Sequence, residues 1–73
     1  MDELDLIPRI VEHWREYCPS LYRELESTGE LTSEAEITAR NTIQYAERLQ
    51  EQGYGKAQAE SEAMREVALQ VFR

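Results

Sequence analysis

The tightest constraint on this chain is the Gly53-Tyr54-Gly55 connection, which joins two helical patterns of similar length. A link that short turns the chain back on itself. The two segments are therefore expected to form an antiparallel helical hairpin, and whatever precedes them must cover its open side. Elsewhere the chain has few breaks, with three glycines and two prolines in 73 residues and a preponderance of Ala, Leu, Glu, Gln and Arg, all good helix formers. The expected fold is all-α: a small bundle of three to four helices with a C-terminal antiparallel helical hairpin, residues 1–73 forming one helical domain.

The first helix is the most sharply written. Ile7, Ile10, Val11, Trp14, Tyr17 and Cys18 recur at spacings of three and four, which places them on one stripe with Arg9, Glu12 and Glu16 opposite. Pro8 is tolerated without loss only in a first turn, so this helix is expected to start near Asp5 or Leu6, and Pro19 to stop it. A short second helix with Leu21, Tyr22 and Leu25 on one face should run to about Ser27 and end at Gly29. Ser33 and Glu36 have the spacing of a capping box, which predicts a third helix from Ser33, about 19 residues long. Its stripe is Ala35, Ala39, Thr42, Ile43, Ala46 and Leu49, small enough in places to let another helix come close. The fourth helix is expected from about Lys56 to Phe72, with Ala57, Met64, Val67, Ala68, Val71 and Phe72 as its apolar face.

About 30 apolar side chains are available to build an interior, too few for a substrate domain beside a cofactor domain, so a conventional enzyme is not expected. The lone Cys18 cannot close an intrachain disulfide and reads as a small packing residue. Stability must then come from regular helix packing or from self-association. Apolar runs of two or three residues and an acidic N-terminus give neither a membrane span nor a signal peptide, so the expected location is the cytoplasm. The formal charge of −7 lies wholly in residues 1–36, which hold ten acids and three bases, while residues 37–73 hold five of each. Glu12, Glu16, Glu24, Glu26 and Glu30 make up the acidic face. Such a surface repels phosphate, so direct nucleic-acid binding is disfavoured and a basic protein partner is the better match.

Candidate chemistry is sparse. His13, Glu12, Glu16 and Cys18 are ligand types, but Cys18 belongs to the apolar stripe while His13 and Glu16 share another face, so no metal site is expected. One His and one Cys without a motif do not compose a nucleophile and base. Gly53-Tyr54-Gly55-Lys56 fails as a phosphate loop, because Gln50 stands where the first glycine is needed and Ala57 where a hydroxyl is needed. Neither a cofactor nor catalytic residues are assigned. Helices 3 and 4 resemble a helix-turn-helix in outline, with Lys56, Arg65 and Arg73 on the second, but Glu60, Glu62 and Glu66 share that helix and oppose phosphate.

Trp14 lies mid-stripe and is expected at the centre of the core. Ile37 does not fit its element: it projects opposite the alanine stripe, with Asn41, Tyr45 and Arg48 on or near the same side. The plainer reading, that helix 1 or 2 covers this face, is set slightly ahead of a partner or homodimer surface. Glu36 and Arg40, four apart, are expected to pair at the surface.

Leu21-Tyr22, Leu25 and Thr28-Gly29-Glu30-Leu31, preceded by Pro19 and followed by Glu36-Ile37 and Ala39, resemble the signature of the transposon-encoded TnpV family of small bacterial mobile-element proteins. The resemblance covers about two thirds of the chain and departs from the family in the last helix, where Met64 and Val67 stand in place of a tryptophan. It implies an accessory protein that acts through contacts, with no catalytic residues to carry across. The functional expectation is a non-enzymatic interaction protein presenting an acidic face and an apolar helix surface. The alternative is an acidic nucleic-acid mimic that inhibits a host nucleic-acid-processing system, with a helix-turn-helix DNA binder as the lesser one.

Overall fold

The structure, a computed structural model, describes residues 2–69. They form four α-helices, α1 (Glu3–Tyr17), α2 (Pro19–Thr28), α3 (Leu31–Glu51) and α4 (Lys56–Ala63), the last continuing into a π-helical turn over Met64–Ala68. The all-α bundle expected from the sequence is what the chain adopts.

Helix α1 begins at Glu3, earlier than Asp5 or Leu6, because Asp2 caps it. The Asp2 side chain accepts from the Leu4 amide at 3.0 Å, and its carbonyl accepts from the Asp5 and Leu6 amides at 3.2 and 3.1 Å. Pro8 therefore lies beyond the first turn, where its ring cannot donate to the Leu4 carbonyl. Both Leu4 and Pro8 are exposed, so water can take that carbonyl. After Cys18, Pro19 opens α2 at its first position. Gly29, at φ +76°, ends it. The Gly29 amide bonds the Glu26 carbonyl at 3.2 Å and the Glu30 amide bonds the Leu25 carbonyl at 2.9 Å, the pair of bonds of a Schellman close.

That close delivers the chain directly into α3, which starts at Leu31 after Glu30 and not at Ser33; Ser33 is already inside the helix, and no side chain caps its N-terminus. The earlier start has a packing reason. Leu31 lies one turn before Ala35 and extends the buried line toward the core. Helix α3 is 21 residues long.

Helix α4 also departs from expectation. Ala57 is exposed, and Ala59 and Ala63 provide the buried face instead. The turn then widens, the Leu69 amide reaching the Met64 carbonyl at 2.7 Å. A π turn rotates less per residue than an α turn. Met64 and Ala68 stay in the core cluster with Ala35 and Ala39, as residues four apart would in either helix, while Val67, three residues after Met64, turns further from that face and is only half-buried. Val71 and Phe72, assigned to the same face from the sequence, lie outside the described residues.

Helix α3 is the central element. Glu3 of α1 meets Arg40, and Trp14 lies beside Glu34 and Thr38, so α1 runs antiparallel to α3. The α3–α4 hairpin is antiparallel too, since Ala46 and Leu49 pack with Ala59 and Ala63 while Ala35 and Ala39 pack with Met64 and Ala68. Leu6, Ile10, Trp14 and Cys18 from α1 fill the main core, with Leu25 from α2 closing one end. Trp14 is 3% exposed, in the central position its stripe predicts. Thr42 is fully buried, its hydroxyl satisfied by the Thr38 carbonyl at 2.8 Å.

Candidate functional site

Two surfaces carry the residues singled out in the sequence. The first is the solvent side of α3. Asn41, Tyr45 and Arg48 are brought together there with Gln44 and with Val67 of the π turn, bounding a groove of about 210 Å³. Ile37, one turn before Asn41, is 47% exposed. Neither α1 nor α2 covers it, so the reading set slightly ahead for this face gives way. Tyr45 is half-buried because its ring leans on the Ala46, Leu49, Ala59 and Ala63 cluster, leaving its outer edge at the groove. Val67 is a member of this surface that the sequence placed in the core; the π turn that exposes it leaves no signal in the apolar spacing.

Arg40 sits at the other margin of α3, clamped between Glu36 at 3.6 Å and Glu3 at 3.1 Å. The Glu36 pair follows from helical spacing, but the Glu3 contact could not be read from a helix thought to start later. Arg48 is in no ion pair among the described residues. Neither is Glu34, which is half-buried at a crevice it shares with Trp14, Leu21, Leu25 and Thr38. The Trp14 indole N–H is buried there without a hydrogen-bond partner.

The second surface is acidic. Glu12, Glu16, Glu24, Glu26 and Glu30 are all exposed, two on α1 and the others on α2 or just after it. Glu12 has a loose contact with Arg15 at 3.7 Å, too exposed at both ends to cancel its field. Glu26 accepts a hydrogen bond from the Tyr22 phenol, which, with burial and the charge of the same carboxylate, raises the phenol pKa above its ordinary value. His13 stacks at a tilt on Tyr17, ring centres 4.9 Å apart, and lines a groove with Arg9, Glu12 and Glu16.

Cys18 is buried, away from the groove that His13 and Glu16 line, and among the described residues no group of three or more His, Cys, Asp or Glu is placed to hold a metal ion. The Gly53-Tyr54-Gly55 segment is a helix–helix turn, with Gly53 at φ +103° and the Tyr54 amide bonded to the Leu49 carbonyl at 3.0 Å. On α4 and its continuation, Lys56 is exposed while Arg65 is held by Glu62 at 2.6 Å and by Glu66 at 3.7 Å. No described helix is long and apolar enough to cross a membrane.

The fold and these surfaces define a small all-α bundle with an acidic end and a central helix left uncovered on one side. No protein-family model, curated protein or solved structure matches the chain.

Proposed function

We propose that this chain is a non-enzymatic accessory protein that binds another protein through the acidic surface of α1 and α2, with the exposed side of α3 as a second contact surface. The observation that carries the reading is the exposure of all five carboxylates, Glu12, Glu16, Glu24, Glu26 and Glu30, on the part of the chain that holds the whole net charge. Fields of one sign steer a partner of the opposite sign, so the partner is a protein with a basic surface. The resemblance of Leu21-Tyr22, Leu25 and Thr28-Gly29-Glu30-Leu31 to the TnpV signature adds a mobile-element origin to the proposal, and apolar runs of only two or three residues support a cytoplasmic setting.

The test is capture of a partner by the tagged full chain, compared with a variant carrying Glu12→Gln, Glu16→Gln, Glu24→Gln, Glu26→Gln and Glu30→Gln. These positions are exposed, so the variant keeps its helix content. The parent is expected to retain a basic protein that the variant releases. Equal capture by both would sink the reading.

A further inference from the structure

We infer that the exposed side of α3 receives a second copy of this chain, packed antiparallel across a two-fold axis at Asn41. This deepens the proposal of α3 as a contact surface by naming what occupies it. Glu34, Ile37, Asn41, Tyr45 and Arg48 stand at offsets of −7, −4, 0, +4 and +7 from Asn41. Seven residues make about two helical turns, so the five fall in one stripe along the helix. The stripe is a palindrome in position and complementary in chemistry.

Laid antiparallel on itself with Asn41 against the partner's Asn41, it sets Glu34 against the partner's Arg48 and Ile37 against the partner's Tyr45. The Asn41 contact lies on the axis and occurs once, and each of the other two occurs twice, as a two-fold interface requires. Within the protomer neither Glu34, half-buried at the margin of the stripe where α3 meets α1 and α2, nor the exposed Arg48 is in an ion pair among the described residues, so neither charge has a counter-charge of its own. Asn41 carries a donor and an acceptor on one amide, which lets two copies satisfy each other at the axis, the role a central asparagine plays in fixing register between paired helices. Ile37, 47% exposed, and the free edge of Tyr45 supply the apolar contact. A parallel arrangement would set Glu34 on Glu34 and Arg48 on Arg48, and both juxtapositions repel.

The contact is limited in extent. Helix α3 has 21 residues, a length of about 31 Å, and one helix pair of that length lies at the small end of specific interfaces. Association is therefore weak, and the measurement must reach high concentration.

Sedimentation equilibrium of the full chain, from micromolar to millimolar, tests the inference. The parent is expected to show a monomer–dimer equilibrium. Arg48→Glu and Glu34→Arg should each lower the association constant roughly tenfold, and the double variant should regain most of it, because the swap restores both pairs with their signs exchanged. Circular dichroism checks that each variant folds; should Glu34→Arg fail, Arg48→Glu with Ile37→Asp, both at exposed positions, carries the test. A monomer at every concentration, a dimer indifferent to the single changes, or a double variant no better than the singles overturns the inference. A monomer would leave the acidic surface and its partner standing, whereas capture that ignores the charges of α1 and α2 would remove the partner and leave the dimer.

Discussion

Tyr22 donates a hydrogen bond to the Glu26 carboxylate one turn along α2, and that bond is the largest cause of its raised pKa, followed by burial and the charge of the same carboxylate, with Arg15 pulling the other way. The sign of the effect on stability follows from linkage. A phenol whose folded pKa exceeds its unfolded value near 10.0 favours the folded chain while it is protonated. The contribution is fully present below about pH 10 and is lost as pH rises through the folded value. Glu26→Ala removes the bond and the charge together. Ultraviolet titration of tyrosinate should then show Tyr22 ionising earlier than in the parent, and the parent's alkaline loss of stability should be steeper than the variant's. A titration unchanged by Glu26→Ala would refute the assignment. At this scale the sequence located Trp14 well, because a tryptophan mid-stripe has only the core to face. It could not locate Glu3 on Arg40, since that contact depends on where α1 begins and on how α1 lies across α3.

Gly29 and Gly55 are the same residue in two turns with different demands. Gly29 closes α2 at φ +76°, in the left-handed region where a Cβ is strained, although nothing lies within 4 Å of the position a Cβ would take. Gly55 precedes α4 at φ −66°, which any residue can adopt. Gly29→Ala is expected to cost about 1 kcal/mol through backbone strain alone, read as a lower urea midpoint, while Gly55→Ala carries no such strain and should lower the midpoint less, by the few tenths of a kcal/mol to which glycine is preferred over alanine at the N-cap of α4. Equal effects would refute the argument. The glycines and Pro19 are also why the helices could be read from the sequence, since each marks a boundary by its own stereochemistry. The starts of α1 and α3 were harder. Asp2 competes with the proline rule by offering a cap upstream, and the Schellman close at Gly29 leaves no residue for a separate capping box at Ser33. The π turn was illegible for a different reason: the spacing of Met64, Val67 and Ala68 fits an ordinary helix equally well.

Across the whole molecule the charge and the central helix divide the work. Residues 1–36 hold ten acids and three bases and residues 37–73 five of each, and in the fold the first group supplies α1, α2 and the first six residues of α3. That division was readable as a sum over sequence; the uncovered side of α3 was not, because it depends on where α1 and α2 come to rest. The consequence is electrostatic and separable. Association with a basic partner through exposed carboxylates should weaken steeply as salt rises, since charges separated by more than about 10 Å are largely screened at 0.1 M ionic strength. Self-association through α3 responds differently, because two chains of net charge −7 repel each other, and salt relieves that repulsion while it weakens the two Glu34–Arg48 pairs. Measured on the same preparation, partner affinity should fall several-fold or more between low and high salt while the dimer constant moves far less. A partner bound equally well at both would mean that the acidic surface is not what holds it, and a dimer that fell in parallel with the partner would place both contacts on the same charges.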